Sequence, residues 1–192
     1  YWFFRYLEKE RGYSSDAVLV TMVTAVLVLA SGYFIGGAVG DFLFRRTRRG
    51  RVIVATAAVL LGAIFLFLTL SIPLENRGLF LLMLSVTALF IPFAAPNVIS
   101  TVYDITLPEV RSTALAVQYF LESIGAALAP LFAGLIAVRA SLKDAILIIC
   151  IAAWVLCSIF LAFVAYLVPA DIETLRSQLR RRAEQERAAQ RV

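Results

Sequence analysis

The chain has 192 residues, of which 61% are hydrophobic and 16% are charged, and its formal net charge is +5. A soluble domain carries about a quarter charged residues, so this composition and the mean hydropathy of +0.88 indicate a membrane protein. The sequence contains no histidine, which excludes imidazole metal sites and histidine general bases. We therefore expect no metal, no cofactor and no enzymatic activity. We also expect no nucleic-acid partner, because basic residues of membrane proteins gather in cytoplasmic loops.

Five long apolar runs divide the chain. They cover residues 17–39, 52–72, 79–103, 114–138 and 145–168. Each is long enough to cross a hydrocarbon core of about 30 Å, which takes about 20 helical residues. Backbone groups in lipid must bond within their own segment, so each run predicts a helix. We expect an all-α membrane protein with five transmembrane helices in residues 1–168.

The charged residues predict the orientation of this bundle. Short connections make consecutive spans antiparallel, and twelve of the eighteen Lys and Arg residues then fall on one side, in the loops 41–51 and 104–113 and in the tail. Basic loops face the cytoplasm, so the C-terminus is predicted there. The tail 169–192 predicts either an amphipathic helix on the lipid surface or a solvated, partly disordered segment. The chain starts at Tyr1 without a signal peptide, so we expect it to be truncated at its start.

The loop after the first run reads G-A-V-G-D-F-L-F-R-R over residues 37–46. This loop resembles a signature of the major facilitator superfamily of secondary transporters, G-x-x-x-D-[RK]-x-G-R-[RK]. The matching positions are Gly37, Asp41, Arg45 and Arg46. Phe42 and Phe44 stand where the signature has a basic residue and a glycine, a weakened form typical of its second copy. The alternative is a basic cytoplasmic loop with an incidental aspartate.

A second resemblance lies at L-P-E-V-R-S-T-A, residues 107–114, which is similar to the superfamily pattern P-x-x-R-G-x-A with Ser112 in place of glycine. Further along, Gly125 and Pro130 resemble a Gly- and Pro-rich antiporter pattern, with Ala129 in place of a glycine. Together the two motifs make the spans resemble helices eight to twelve of the twelve-helix fold. Helices two to six are the alternative, with the tail as the central loop.

The resemblance implies a function and its partners. It implies secondary transport of a small solute by alternating access, coupled to protons or another ion. It implies a bacterial inner (plasma) membrane location, with the lipid bilayer and the missing N-terminal half of the same transporter as partners. The alternative function is a non-transporting membrane subunit or scaffold.

Glu122 is the only formally charged residue inside the five runs. An unpaired charge at the centre of a bilayer costs about 2.5–3.5 kcal/mol on insertion scales, so Glu122 is expected to face a cavity or a partner. Gln118 stands one turn before it on the same helix face. Glu122 and Gln118, with Asn97 and Tyr33 on other spans, are the candidate substrate or coupling-ion residues. The alternative is that Glu122 is a neutral, hydrogen-bonded residue between packed helices.

Two further sets of residues are predicted to shape the bundle. Pro92 and Pro96 are expected to kink the third span, either to free carbonyls near residues 91–93 for a cavity or for packing alone. Gly125 and Pro130 are expected to serve packing in the fourth. We also predict a cytoplasmic latch of ion pairs that breaks when that side opens. Its residues are Gly37, Asp41, Arg45, Arg46, Glu109 and Arg111, with Asp104 also expected close to the arginine-rich loop. Asp41 is expected either to pair with Arg45 or Arg46 or to accept amides from another helix N-terminus.

Overall fold

The computed structural model describes residues 2–190, which form seven α-helices and two short 3-10 turns with no strand among them. The helices are α1 Trp2–Lys9, α2 Ser15–Phe44, α3 Gly50–Ser71, α4 Arg77–Phe90, α5 Ala94–Ile105, α6 Arg111–Arg139 and α7 Leu142–Ala189. The turn Ile91–Phe93 joins α4 to α5, and the turn Pro108–Val110 precedes α6. Five segments are long and apolar enough to cross a membrane: α2, α3, α4 with α5, α6 and α7. The protein is therefore the all-α membrane bundle that the apolar runs predict.

The polar residues between the runs start the helices. The side chains of Ser14, Asn76 and Ser141 accept hydrogen bonds from the first-turn amides of α2, α4 and α7, respectively. Such caps satisfy amides that have no partner inside the helix. The α2–α3 and α5–α6 connections and the end of α7 lie at one end of the bundle, called here the basic end. The connections α3–α4 and α6–α7 lie at the opposite end.

Helix α3 is the centre of the bundle and packs against α2, α4, α5 and α7. Its buried side chains are mostly small, such as Ala55, Ala58 and Ala63, so its neighbours approach closely. One buried polar contact joins α3 to α4, where the Thr69 and Thr87 hydroxyls lie 3.1 Å apart. Each hydroxyl also donates to its own helix backbone, so neither is an unsatisfied group in the apolar core.

Helix α2 approaches the α4–α5 segment through three glycines spaced four residues apart, Gly32, Gly36 and Gly40. All three are buried, and a Cβ atom at Gly36 would lie 2.5 Å from the Cα atom of Phe93. The Asn97 Nδ2 atom donates to the carbonyls of Gly36 at 2.9 Å and Phe93 at 2.7 Å. The glycine stripe and Asn97 therefore fix α2 against the proline-containing break in the third span.

The break at Ile91–Phe93 and the helix after it hold the two prolines of the third span. The 3-10 turn contains Pro92, which is buried, and a Cβ atom at Gly32 would lie 2.7 Å from its ring. The Phe93 carbonyl accepts from Asn97 rather than facing a cavity. Pro96 lies in α5 beside Gly37, with 3.6 Å to the position of a Cβ atom. The break therefore lies where α2 approaches the third span most closely.

Helix α1 was not foreseen in the segment before the first span. Its Tyr6 and Leu7 side chains are buried against α2, α4 and α7. Just after it, the Glu10 carboxylate accepts from the Leu142 and Lys143 amides at 2.6 and 3.2 Å and so caps α7. The Arg11 guanidinium donates to the carbonyls that end α3, those of Ile72 at 3.2 Å and Pro73 at 3.1 Å. This segment ties two helices together at the opposite end.

Helix α7 continues through Pro169, where the sequence predicts a boundary between span and tail. With 48 residues it is about 72 Å long, more than twice the hydrocarbon core, so its charged part lies outside lipid. We call residues 170–189 the tail. Val168, Ile172 and Leu175 are buried next to Val52 and Ile105 at the basic end. The first turns of the tail therefore pack on the bundle, and the tail is helical through Ala189.

Candidate functional site

The basic end carries an ion-pair cluster centred on Arg51, in the first turn of α3. Its Nη2 and Nε atoms donate to Asp41 Oδ1 at 2.7 and 3.0 Å, and its Nη1 atom donates to Asp104 Oδ2. Asp41 lies near the end of α2 and Asp104 near the end of α5. The Arg51 and Asp104 side chains are 17% and 24% exposed, whereas that of Asp41 is 58% exposed. We call these three residues the Arg51 bridge, which joins three helix ends.

The tight α2–α3 connection places Arg51 there. A Cβ atom at Gly50 would lie 2.4 Å from the Leu43 carbonyl carbon, so only glycine lets α3 start this close to the end of α2. A cation is unfavourable at a helix N-terminus, where the dipole is positive. Two carboxylates and the Phe44 ring, 4.1 Å from the Arg51 Cζ atom, offset that cost. Arg51 is therefore positioned by the same residues that close the loop.

The tail of α7 contacts both loops at the basic end. Arg48 of the α2–α3 loop pairs with Glu173, and Glu109 of the turn before α6 pairs with Arg182 at 2.7 Å. The hydrogen bond from Arg48 lowers the pKa of the Glu173 carboxyl. The pKa of Glu109 is lowered first by a backbone amide and then by Arg182. Both pairs are exposed, so each adds little stability alone, and their effect is to orient the tail.

The predicted latch residues all lie near the basic end, but one predicted pairing is wrong. Asp41 pairs with Arg51 and not with Arg45 or Arg46, which are exposed just after α2. The reason is geometric: the side chain of Arg46 turns back over the Phe42 ring, 4.6 Å from its centroid, while Arg51 returns beside Asp41 on the next helix.

Arg111 forms a different contact from the predicted network. Its Nη2 and Nε atoms donate to the carbonyls of Tyr103 at 3.0 Å and Thr106 at 3.4 Å, at the end of α5. Cations are favourable at a helix C-terminus, where carbonyls lack partners. Arg111 therefore closes the α5–α6 corner, while its neighbour Glu109 contacts the tail.

The predicted substrate residues are not brought into one site. Glu122 lies on an exposed part of α6 and accepts a hydrogen bond from Gln118 Nε2 at 2.9 Å. Tyr33 is 44% exposed on α2. Asn97 is 1% exposed and donates to the Gly36 carbonyl, so it contributes to the packing of α2 against α5.

Helix α6, which carries Glu122 and Gln118, packs loosely against α7 and α5, and Ala133 is its one buried residue in the described chain. A Cβ atom at Gly125 would meet nothing within 4 Å, so the packing predicted for Gly125 is absent among the described residues. Pro130, in the same helix, is exposed.

A family model described as Major Facilitator Superfamily matches residues 1–189 of the chain. The chain belongs to the major facilitator superfamily. The family explains the five apolar helices and identifies the chain as a membrane protein of the transporter class. No curated protein and no solved structure gives a significant match.

For this member of the superfamily, sequence reasoning missed the central residue of the cluster. Arg51 directly precedes the second apolar run, where an unpaired cation would border lipid, and that position was the available signal. Asp104 ends the third run on the same side. The tail partners Glu173 and Arg182 carried no comparable signal, because many charges surround them in the sequence.

Proposed function

We propose that the chain is part of a secondary active transporter that moves a small solute by alternating access, driven by a proton or other ion gradient. The observation that carries the proposal is the Arg51 bridge, which ties the ends of α2, α3 and α5 at one end of the bundle. A transporter must close one end while the other is open. An ion-pair cluster confined to one end supplies a contact that can form and break with that change.

The basic end is the cytoplasmic end in this proposal. Twelve of the eighteen basic residues lie there, as the distribution of charge in membrane proteins favours. The bridge, together with the pairs Arg48–Glu173 and Glu109–Arg182, then forms the cytoplasmic latch. It stabilises the outward-open state, and opening to the cytoplasm separates its partners.

The solute pathway is proposed along the open faces of α2 and α6. Phe34 on α2 and Phe120 on α6 are 81% and 66% exposed. Glu122 and Gln118 form a polar pair on α6, and Tyr33 adds a polar group on α2. In the twelve-helix fold the other half of the transporter covers such faces, and we assign this chain to the C-terminal half from its weakened loop signature.

Glu122 is proposed as the coupling residue. A carboxyl on the pathway can bind a proton on one side of the membrane and release it on the other as access alternates. Its hydrogen bond with Gln118 positions it. The proposal includes no cofactor, metal ion or covalent chemistry, because transport of this kind requires only binding and conformational change.

A transport assay tests this function. The complete transporter, with this chain and the half proposed to cover it, would be reconstituted in liposomes containing a pH-sensitive dye, and a panel of sugars, amino acids and lipophilic cations would be applied. At least one class should drive a proton flux above that of protein-free liposomes. Arg51→Gln should slow that flux at least about tenfold, and Arg77→Gln at the opposite end should leave it within about twofold. Folded protein with no flux for any class would contradict the proposal.

A further inference from the structure

A cavity of about 390 Å³ lies between α3, α5, α6 and α7, near the basic end. It is partly open beside α6, where Val117 and Leu121 of its wall are 53% and 62% exposed, and it shares Gln118 with the polar pair of the proposed pathway. Four helices contribute to its wall through Val52, Ile105, Val117 and Leu161. Nearly all of the wall is aliphatic, with the Gln118 side chain as its most polar element. The cavity is within the size range of small-molecule sites, about 300–1,000 Å³.

The Gln118 side chain has one satisfied and one unsatisfied end. Its Nε2 atom donates to Glu122 Oε1 at 2.9 Å, which fixes the orientation of the carboxamide. Its Oε1 atom is buried and has no hydrogen-bond donor among residues 2–190. Buried polar atoms in folded proteins are nearly always paired, and an exception indicates a missing partner. The missing partner must be a donor, because Oε1 can only accept.

Water alone is a poor match for this cavity. A water molecule takes up about 30 Å³ of liquid and needs two to four polar partners, whereas the cavity holds more than ten times that volume. Its aliphatic wall instead favours the apolar part of a ligand. A charged ligand is also disfavoured, since no lining side chain carries a charge to offset its desolvation.

We propose that this cavity binds a neutral, mainly apolar alcohol whose hydroxyl group donates to Gln118 Oε1. The aliphatic wall takes the hydrocarbon part, and the amide oxygen selects the hydroxyl end. Lipids with a free hydroxyl group and small aliphatic or aromatic alcohols share this chemistry. The site shares Gln118 with the proposed coupling pair, but binding is measured without transport, so a failure of this proposal and a failure of the transport function are distinguishable.

Photolabelling tests the site directly. The protein in lipid nanodiscs would be labelled with a diazirine derivative of octanol, and the labelled peptides would be located by mass spectrometry. Label should concentrate on α5, α6 and α7 around the cavity. Octanol should compete about fivefold better than octyl methyl ether, which cannot donate, since one net hydrogen bond has about that effect on affinity.

Two variants and their controls decide the outcome. Gln118→Leu should remove the preference for octanol over its ether, while Gln185→Leu in the exposed tail should keep it. Leu161→Trp should fill the cavity and remove the label, while Phe163→Trp, at a position 67% exposed on α7, should keep it. Label spread evenly over lipid-facing residues, or an unchanged octanol preference in Gln118→Leu, would overturn the proposal. If Leu161→Trp does not fold, Gln118→Leu decides alone.

Discussion

The two carboxylates of the Arg51 bridge differ in their surroundings. Asp104 and Arg51 are mostly buried, whereas Asp41 is more than half exposed. Exposed pairs contribute about 0–1 kcal/mol, while removing one partner from a buried pair costs about 3–5 kcal/mol. The contribution of the Arg51–Asp104 contact to stability should fall between these limits, because both side chains keep some access to water.

This difference predicts an asymmetry between two matched variants. Asp104→Asn should lower the free energy of unfolding by about 1–2 kcal/mol and Asp41→Asn by less than about 0.5 kcal/mol. Reversible unfolding in mixed micelles measures both. A double-mutant cycle with Arg51→Gln should give a coupling of about 1 kcal/mol for Asp104. Equal effects of the two variants, or no coupling, would show that Arg51 does not prefer Asp104.

The glycines offer a second pair of matched substitutions. An added Cβ atom at Gly40 would lie 1.6 Å from Asn97 Oδ1, while at Gly125 it would meet nothing within 4 Å. Gly40→Ala should therefore cost about 1–3 kcal/mol through overpacking. Gly125→Ala should be neutral or stabilise α6 by up to about 1 kcal/mol, since alanine favours helices. Thermal unfolding of the two variants compares them, and similar midpoints would be inconsistent with the described packing of α2.

Glu122 provides the residue-level test of coupling. Glu122→Gln keeps a polar group beside Gln118 but cannot bind or release a proton, so solute movement should continue while the accompanying proton flux is lost. Measuring solute and proton movement together in liposomes gives the number of protons moved per solute molecule. Glu75→Gln, in the exposed α3–α4 connection, is the control. Unchanged transport and coupling in Glu122→Gln would rule out the coupling role.

The α7 tail is the element whose position depends most on charge. Glu109→Arg should repel Arg182 and release the end of the tail, and adding Arg182→Glu should restore the contact with its charges exchanged. Nitroxide mobility at Ala183→Cys, with Cys150 and Cys157 replaced by alanine, reports the change. Arg187→Glu is the control, further along the exposed tail. Mobility that is the same in Glu109→Arg and in the wild type would show that the tail is not docked through this pair.

The contacts of the tail should depend on pH, and the same nitroxide label measures this dependence. The pKa values of Glu109 and Glu173 are lowered in the folded protein, by a backbone amide and Arg182 for the first and by Arg48 for the second. A lowered pKa means that the contact is fully present above the ordinary glutamate value and is lost as the pH falls through the lowered one. Label mobility should therefore stay constant from about pH 8 to 5 and rise below about pH 4. A rise in label mobility near neutral pH would contradict the conclusion that Glu109 and Glu173 hold the tail.

At the level of elements, the sequence predicts the positions of the membrane-spanning helices well, but it does not predict which helices pack against each other. Length and hydropathy are properties of each run alone, so the five spans follow from the need to satisfy backbone groups in lipid. Helix α1 is short and polar on one face, so no run length reveals it. The tail continues α7 because Ile172 and Leu175 are buried at the basic end, which requires knowing the neighbouring helices.

The candidate site shows the same limit at its residues. The sequence places Asp41 at a helix end on the charged side, but its partner depends on how α3 returns beside α2 at Gly50. Asn97 is polar within an apolar run, which is equally typical of a cavity residue and of a packed one. Its burial against Gly36 follows from the approach of α2, which the sequence pattern does not show. Contacts between distant segments are the part that sequence patterns leave open.

At the scale of the whole molecule, the two ends of the bundle are built differently. The opposite end is joined through backbone carbonyls and amides, with Arg11 on the end of α3 and Glu10 on the start of α7. The basic end is joined through side-chain ion pairs, which can exchange partners or separate without disturbing a helix. Side-chain pairs that can separate in this way suit the proposed latch, and a latch at the basic end is the central claim of the proposed mechanism.

Thiol accessibility at the basic end tests that claim most directly. Thr101→Cys, buried in α5, would be labelled with a membrane-impermeant maleimide after Cys150 and Cys157 are replaced by alanine. Added Arg51→Gln should speed labelling from the basic side at least about tenfold, the effect of about 1.4 kcal/mol on the opening equilibrium. Added Arg77→Gln, at the opposite end, should leave the rate unchanged. Equal labelling rates with and without Arg51 would contradict the account, because the bridge would then not keep this end closed.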